Sequence, residues 1–289
     1  MDELEGKVAV ITGAGSGMGL GMARAFAGAG MRIVVAEIDQ ASLDAAVAEL
    51  TAAGHEAIGV RTDVSRLADV QALADAAMDH FGAVHVLCNN AGVCTFATID
   101  KMSIEEWEWT LGIDLWGPIY GVKVFKPLIE QTGTGHINST ASVAGLIAGG
   151  AVAPYNVAKH GVVALMCTLE RELRSTHSPV RSSVLCPGAV NTPIGRNSQR
   201  SRRAMRGEPV TGDGRGGGIA TGKEAVKLND RLGDALKDGM DPDEVGHLVL
   251  DAIRNDTFWI LTNPTLAKQQ HHQVAAMLED RSLSRLRMF

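Results

Sequence analysis

The sequence predicts an α/β protein built on a doubly wound parallel sheet of seven strands with helices on both faces. Two patterns indicate this fold class: short β-branched runs alternate with amphipathic stretches from residue 7 onward, and a glycine-rich turn separates the first strand from the first helix. The chain has 289 residues, of which 45% are hydrophobic, enough to build one large core. We therefore expect a single domain spanning residues 1–289.

The first half of the chain has the pattern of a βαβαβ unit. Its predicted strands are KVAVI, RIVVA and AIGV; one helix begins at Gly17 and a second extends through Leu50. The second half adds the strands VHVLC, GHINST, VRSSVLC and FWIL, a long helix over residues 103–130 and a helix that carries Tyr155. Right-handed crossovers between such strands give the order 3-2-1-4-5-6-7 and put ligands beyond the carboxyl ends of the strands.

Residues 189–240 interrupt this alternation and predict a substrate lid inserted within the domain. The segment holds five arginines from Arg196 to Arg206 and the glycine-dense stretch GDGRGGG. Long irregular segments in compact domains are commonly lids or binding loops. The arginines allow two interpretations: a solvated charge run, which we favour, or a surface that steers an acidic or phosphorylated substrate.

Composition and charge exclude several classes of function. The net charge is −6 and the pI is near 5.8, so we expect no basic surface that binds nucleic acid or an anionic membrane. No apolar run reaches the roughly 20 residues that span a bilayer. The start, MDELEGK, lacks the pattern of a secretory signal. We expect a cytoplasmic protein that acts on a small molecule.

The cysteines and histidines predict no metal site. Four cysteines are scattered without zinc-ligand spacing and are expected to be free buried thiols: Cys88, Cys94, Cys167 and Cys186. His271 and His272 are adjacent on a polar helix, where neighbouring side chains do not share a face.

The turn TGAGSGMG, residues 12–19, predicts a Rossmann-like dinucleotide site. Glycines between a strand and a helix let backbone amides approach a pyrophosphate at the positive helix N-terminus, and Gly13, Gly17 and Gly19 are spaced for this role. Glu37 ends the second strand 18 residues beyond Gly19, where a carboxylate binds ribose hydroxyls and repels a 2′-phosphate. This favours NAD over NADP; an acidic residue that merely faces water is the alternative.

Tyr155, Lys159 and Ser142 predict a hydride-transfer site. A spacing of four stacks Tyr155 and Lys159 on one helix face, and the ammonium is expected to lower the pKa of the phenol from about 10. Ser142 follows an apolar strand and offers a hydroxyl that holds a substrate oxygen opposite Tyr155. The tyrosine and lysine alone occur together by chance in many helices, so the glycine-rich turn and Ser142 carry the interpretation.

These motifs together resemble the short-chain dehydrogenase/reductase family over essentially all of residues 5–265. The family turn T-G-x-x-x-G-x-G matches residues 12–19, N-N-A-G matches residues 89–92, and Y-x-x-x-K matches Tyr155 and Lys159. Ser142 lies 13 residues before Tyr155, a spacing common in the family.

The resemblance implies a set of residues that bind the cofactor. By this resemblance, Asp63 hydrogen-bonds the adenine amino group and Lys159 holds the nicotinamide ribose. Thr192 and the Val190 backbone hold the nicotinamide carboxamide. Residues 90–92 line the adenosine side. The full set is Gly13, Ser16, Gly17, Met18, Gly19, Glu37, Asp63, Val64, Asn90, Ala91, Gly92, Tyr155, Lys159, Pro187, Gly188, Val190 and Thr192.

Two residues depart from the family pattern. Asp114 stands in the sequence Asp-Leu-Trp-Gly where the family carries an asparagine that supports a water chain from the lysine to solvent. We expect the extra carboxylate to stabilise the Lys159 ammonium and partly cancel its pull on Tyr155, which alters the pH dependence, and we count Asp114 among the catalytic residues. Asn138 lies on a strand where an aliphatic residue is usual, so it needs a buried partner.

The predicted function is hydride transfer between NAD(H) and a secondary alcohol or ketone, hydrophobic or cyclic. Two alternatives stay open: an NAD-binding, redox-sensing regulator that has lost catalysis, and an NADPH-preferring reductase or an epimerase on the same scaffold. Small and apolar positions suggest the substrate class, namely Val93, Cys94, Thr95, Ala144, Leu146, Ala148 and Ala151.

Helices over residues 104–130 and 155–174 carry more apolar surface than one sheet can cover, which predicts assembly. In related enzymes these helices build a two-fold interface, and FWIL with its neighbouring helix builds another. We expect a homotetramer, with a homodimer as the alternative.

Overall fold

The computed structural model describes residues 1, 3–205, 219–220, 233–234, 236–279, 281 and 283. Side chains are described for these residues except 203–205 and 219–220. Much of the predicted lid, including the stretch GDGRGGG, therefore lies outside the described residues.

The central sheet has seven strands, all paired in parallel. Their order is β3-β2-β1-β4-β5-β6-β7, which confirms the predicted topology. Because the chain leaves β1 and β4 toward opposite edges of the sheet, their carboxyl ends border a crevice. The strands are β1 Val8–Thr12, β2 Arg32–Glu37, β3 Ala57–Arg61, β4 Val86–Asn89, β5 Gly135–Thr140, β6 Val180–Cys186 and β7 Trp259–Leu261.

Helices connect the strands and cover both faces of the sheet, as predicted. In the described part of the chain they are α1 Gly17–Gly28, α2 Gln40–Ala52, α3 Leu67–Phe81, α4 Ile104–Leu111, α5 Gly117–Glu130, α6 Ala153–Ser175, α7 Ile194–Met205, α8 Pro242–Asn255, α9 Pro264–Ala267 and α10 Gln269–Glu279. None of the described helices is both long and apolar enough to cross a membrane.

Strand residues alternate between two hydrophobic cores. Ala9 and Ile11 of β1 belong to the core under α1, α2 and α8, whereas Val8 and Val10 belong to the core under α3, α5 and α6. This two-residue period matches the side-chain alternation of a strand. Because both faces of the sheet are covered by apolar cores, the strand sequences are continuous hydrophobic runs.

The predicted helix over residues 103–130 is divided. Ser103 caps α4 through a reciprocal capping box with Glu106, and the helix then changes to a five-residue π-helical turn, Gly112–Trp116, before α5 begins. Asp114 lies in this turn. Periodicity alone does not reveal a π turn, because the backbone stays helical and only one extra residue enters the turn.

The predicted lid contains regular structure that the sequence pattern did not indicate. α7 occupies residues 194–205, and Ile219–Ala220 pairs in parallel with Thr95–Phe96. The segment is therefore not irregular over residues 194–205, whereas its role as a substrate lid stays a prediction. The sequence hides this helix because residues 195–203, GRNSQRSRR, contain no large apolar side chain that would mark a helical periodicity.

Arg202 of α7 forms a largely buried ion pair with Glu106, which also completes the capping box of α4. The favoured interpretation of Arg202 as a solvated charge is therefore wrong.

Asn138 finds a buried partner. Its Nδ2 donates to Ser183 Oγ at 2.8 Å, and His136 Nε2 lies 2.8 Å from the same hydroxyl. The four cysteines are free; three are buried, but Cys167 is only partly so, which corrects the expectation for that residue.

Candidate active site

The glycine-rich turn after β1 leaves no room for a side chain at Gly13 or Gly19. Gly13 and Gly17 have φ values of 64° and 54°, a region that favours glycine. A Cβ on Gly13 would lie 2.8 Å from the Ala91 Cα, and one on Gly19 would lie 2.3 Å from the Gly13 carbonyl oxygen. These glycines therefore let the turn pack tightly against the segment after β4, and the first turn of α1 offers amides without intrahelical partners, which fits a pyrophosphate.

The segment after β4 is tied to this turn by hydrogen bonds. The amides of Asn90 and Ala91 donate to Thr12 Oγ1 at 2.9 and 3.1 Å, and Asn90 Nδ2 donates to the Thr12 carbonyl oxygen at 3.1 Å. Thr140 Oγ1 donates to Asn90 Oδ1 at 3.2 Å. Thr12 and Thr140 thus hold together the ends of β1, β4 and β5, a role that the sequence did not indicate.

Glu37 lies where the sequence predicts it, at the end of β2 beside the glycine turn. Its Oε2 accepts the Gly15 amide at 3.2 Å, and its Oε1 accepts the amides of Ile38 and Asp39 at 2.9 and 3.2 Å. These bonds fix the carboxylate at the crevice. A carboxylate in that position fits the two hydroxyls of an adenosine ribose.

Three more predicted cofactor residues are Asp63, Val64 and Met18. Asp63 Oδ1 accepts the amide and the hydroxyl of Ser65 at 3.0 and 2.6 Å. Val64 is buried beneath Gly117, and Met18 of α1 is partly buried against the core under that helix.

The predicted residues after β6 reach the crevice from the other side. The Pro187 carbonyl accepts the Val143 amide at 3.0 Å, and the Gly188 amide donates to Thr262 Oγ1 at 2.9 Å. Thr192 approaches the glycine turn, because a Cβ on Gly17 would lie 3.1 Å from its Cγ2. Val190, nearby, is buried and forms a parallel bridge with Met240.

Ser142, Tyr155 and Lys159 come together at this crevice. Tyr155 and Lys159 lie one turn apart on α6, and Lys159 Nζ is 5.4 Å from the centroid of the Tyr155 ring. The buried Lys159 also donates to the Thr140 carbonyl at 3.1 Å. Ser142 follows β5, its Oγ accepts the Ala144 amide at 3.1 Å, and its hydroxyl acts to lower the pKa of the Tyr155 phenol. The structure thus brings together the three side chains that the sequence singles out.

The pKa of Tyr155 is raised above its ordinary value, mainly because burial disfavours the charged phenolate. The negative charge of Asp114 adds to the rise, and the hydrogen bond with Ser142 opposes it. The expected lowering by Lys159 is therefore not met. The sequence reveals the cation, but it does not reveal that the fold partly buries Tyr155 or that Asp114 shares the ammonium.

Asp114 shares that ammonium. Its carboxylate is fully buried, its Oδ1 accepts the Val93 amide at 2.8 Å, and its Oδ2 lies 3.5 Å from Lys159 Nζ. Burial raises the pKa of Asp114, whereas Lys159 and the Val93 amide lower it. Within the described part of the chain Oδ2 accepts no well-formed hydrogen bond. Asp114 is therefore paired with Lys159, as the sequence predicts.

An apolar cluster adjoins Tyr155 on the substrate side of the crevice. Cys94, Phe96 and Val152 are buried together, and Tyr155 and Ile194 pack against them. The sequence did not single out Phe96, Val152 or Ile194. Their β-branched or aromatic character is not distinctive, and their contact depends on the tertiary fold.

Most of the predicted pocket positions are buried near the crevice, namely Val93, Cys94, Thr95, Ala144 and Leu146. Ala148 is instead exposed, and Ala151 adopts a φ of 61°, in the left-handed region where non-glycine residues are strained.

The family model for short chain dehydrogenases matches residues 7–203. The chain belongs to the short-chain dehydrogenase/reductase family. Its solved relatives include a short-chain dehydrogenase/reductase from Burkholderia phymatum in complex with NAD, with a TM-score of 0.90, 39% identity and 99% of each chain covered. The family membership makes this protein an oxidoreductase with a nucleotide cofactor.

Two curated relatives of this short-chain dehydrogenase/reductase are named for hydroxylated substrates. The 1-deoxy-11-beta-hydroxypentalenate dehydrogenase of Streptomyces avermitilis is 33% identical over 73% of this chain and 78% of its own. The D-beta-hydroxybutyrate dehydrogenase of Cupriavidus necator is 34% identical over 72% of this chain and 80% of its own.

Proposed function

We propose that this protein transfers a hydride between NAD(H) and a secondary alcohol or ketone with a hydrophobic or cyclic skeleton. The observation that carries the proposal is the cluster of Ser142, Tyr155 and Lys159 at the crevice that the glycine turn and Glu37 also border. The side chains that would bind the substrate oxygen therefore adjoin the residues that would bind the dinucleotide.

The chain's own residues handle the proton and the oxygen. When bound, the nicotinamide supplies the hydride acceptor for oxidation and the hydride donor for reduction. Tyr155 Oη removes the hydroxyl proton of the alcohol, or returns it to the ketone oxygen in the reverse direction. Ser142 Oγ holds the same substrate oxygen, and the Lys159 ammonium places a positive charge 5.4 Å from the centroid of the Tyr155 ring. In this proposal Lys159 also holds a hydroxyl of the nicotinamide ribose.

The apolar cluster of Cys94, Phe96 and Val152 supports the substrate class. These side chains pack beside Tyr155, so the carbon skeleton attached to the reacting carbinol would meet an apolar wall. Two relatives whose names include a hydroxylated substrate are consistent with an alcohol or its ketone.

Replacing Tyr155 by Phe should lower kcat by about 10²- to 10⁴-fold, the usual contribution of a positioned general acid or base. A panel of secondary alcohols with NAD, followed at 340 nm, selects the substrate for this measurement. The chain's other tyrosine, Tyr120, stacks on Trp116 at 5.5 Å, and Tyr120→Phe is the matched control. Turnover by Tyr155→Phe at the parent rate would contradict the proposal.

Glu37 should make NADH the preferred cofactor by about a hundredfold in kcat/KM, because its carboxylate repels a 2′-phosphate and each 1.4 kcal/mol is a factor of ten. Glu37→Gln should reduce the ratio of kcat/KM for NADH to kcat/KM for NADPH, chiefly because the variant binds NADH more weakly. Glu56→Gln, an exposed carboxylate just before β3, is the control. Equal efficiency of NADPH and NADH in the parent protein would overturn the NAD preference.

A regulator that binds NAD(H) without turnover is the second candidate. The raised pKa of Tyr155 favours it, since a phenol that stays protonated is a poor general base for oxidation. Tight NADH binding with no absorbance change for any alcohol or ketone in the panel would select this function over the first.

A further inference from the structure

Residues 148–152, AGGAV, directly precede α6 and form the wall segment of the apolar cluster beside Tyr155. Val152 at the end of this segment is buried with Cys94 and Phe96, and Tyr155 packs against them. The other four residues are alanines and glycines, whose side chains offer little apolar surface for packing. The position of the wall segment therefore depends largely on its hydrogen bonds.

One side of the wall segment is bonded to Ala97, which follows Phe96. The Ala97 amide donates to the Ala151 carbonyl at 3.0 Å, and Ala97 forms a parallel bridge with Val152. Ala151 has a φ of 61°, in the left-handed region that disfavours a residue with a Cβ. Strain of this kind persists only where the surrounding contacts hold the backbone in place. A second attachment is therefore expected on the other side of the turn.

That second attachment comes from Asn156, the residue after Tyr155 on α6. Its Nδ2 donates to the Gly149 carbonyl at 2.7 Å, and the residue is only 7% exposed. Because only the amide nitrogen can donate to a carbonyl, this bond also fixes which way the amide is turned. The bond links the wall segment directly to the helical turn that carries the Tyr155 phenol.

The Asn156 side chain is buried at a cost in stability. Its Oδ1 is buried and accepts no hydrogen bond from the residues that the structure describes. A buried polar atom without a partner destabilises a protein relative to an apolar group of similar shape. The presence of an amide here is therefore better explained by the bond that it donates to Gly149 than by its packing in the core.

We propose that Asn156 is a positioning residue that sets the substrate selectivity of this site through the wall segment. Its bond to Gly149 and the turn at Ala151 together hold Val152 beside Tyr155. A ring or branch next to the carbinol carbon then packs against a preformed wall, at no cost in ordering the chain. The inference rests on the proposed hydride-transfer function and adds to it a residue that determines specificity.

Steady-state kinetics with saturating NAD test the selectivity by comparing the preferred secondary alcohol of the panel with 2-propanol, its smallest member. Asn156→Leu keeps a similar shape but removes the donor to Gly149. KM for the preferred alcohol should rise about tenfold, the lower end of what one methylene contact is worth in an apolar pocket, while kcat stays within about twofold of the parent. The ratio of kcat/KM for the two alcohols should fall by the same factor, because 2-propanol does not reach the wall.

Thermal unfolding separates this role from a merely structural one. Asn156→Leu should be at least as stable as the parent protein, because the buried Oδ1 without a partner is gone. A variant that loses stability and kcat together, with KM unchanged, would indicate a structural role and overturn the inference. Asn255→Ala, which alters an exposed amide that bonds only within α8, is the control.

Hydrogen exchange of the peptide that contains Ala97 follows the wall segment without requiring turnover. Because the Ala97 amide donates to Ala151, release of the segment in Asn156→Leu should speed exchange of this amide about tenfold through local opening. Exchange at the parent rate in this variant would show that the bond to Gly149 does not hold the segment, and it would overturn the inference.

Ala151→Val provides a second variant that leaves α6 unchanged. A β-branched residue disfavours the left-handed φ, so the turn should change and KM for the preferred alcohol should rise even if Asn156→Leu fails to fold. Parent selectivity in a folded variant at either position overturns the inference alone. Absence of turnover of every alcohol by the parent protein overturns the proposed function and this inference with it.

Discussion

At the residue scale, the buried ion pair of Lys159 and Asp114 lies beside the phenol of Tyr155. Lys159 lies 3.5 Å from Asp114 and 5.4 Å from the Tyr155 ring centroid, so its positive charge acts on a carboxylate and a phenol together. Because burial already raises the pKa of Tyr155, the added carboxylate moves the protein further toward a protonated phenol. A protonated phenol suits ketone reduction near neutral pH, while alcohol oxidation should gain rate as the pH rises.

Asp114→Asn should move the rising limb of the oxidation profile to lower pH. Removal of a negative charge stabilises the phenolate, so a larger fraction of Tyr155 is deprotonated at a given pH, and oxidation at pH 8 should be roughly fivefold to tenfold faster. In Asp114→Asn the rate of ketone reduction should begin to fall at a lower pH than in the parent protein, because Tyr155 loses its proton at a lower pH. Profiles of kcat against pH in both directions provide the measurement.

The control for this variant is Asp251→Asn, which alters a carboxylate exposed on α8. Thermal unfolding should accompany the profiles, because loss of one member of a buried ion pair costs about 3–5 kcal/mol. Superimposable profiles for Asp114→Asn and the parent protein would show that Asp114 has no influence on the phenol.

At the element scale, α1 and α8 cross in close contact at two glycines. A Cβ on Gly246 would lie 2.2 Å from the Gly21 carbonyl oxygen, and one on Gly21 would lie 2.2 Å from the Pro242 carbonyl oxygen. Backbone therefore meets backbone, and a methyl group cannot be accommodated by a side-chain rotation. This contact fixes the N-terminal half of α1 against the N-terminal half of α8.

Gly246→Ala should lower the free energy of unfolding by about 1–3 kcal/mol through overpacking. Gly28→Ala is the matched control on α1, because its Cβ would meet no described atom within 4 Å, and it should stabilise the helix by up to about 1 kcal/mol. Denaturant unfolding of both variants gives the two values. Equal stability of Gly246→Ala and the parent protein would show that α1 and α8 can move apart to accommodate a methyl group without loss of stability.

At the scale of the whole molecule, the sheet and the site motifs follow from the sequence because they depend on short-range patterns. Buried β-branched runs, crossover handedness and the spacings around Gly13, Tyr155 and Lys159 are local properties. The π-helical turn, α7 and the raised pKa of Tyr155 depend on contacts between distant segments, such as Ser198 with Cys94. No single segment of the chain carries that information.

We propose a homotetramer, with a homodimer as the alternative. Large apolar side chains are exposed on the helices predicted to assemble: Ile104 on α4, Trp116 in the π turn and Val157 on α6 are 67%, 49% and 50% exposed. Val157→Glu should reduce the mass measured by light scattering at micromolar concentration, since a charge buried in an interface is costly. Leu67→Glu on α3 is the control, and a parent protein that is monomeric would contradict the assembly.

Helix α7 binds Ser16 and Asp39 through Asn197 and Arg200, and it binds Glu106 through Arg202. These contacts limit how substrate range can be engineered in this protein by recombination. A donor segment spliced in place of α7 would arrive without the residues that receive it, since Ser16, Asp39 and Glu106 lie elsewhere in the host chain. Functional chimeras should therefore require those three recipient positions to be transplanted with the helix.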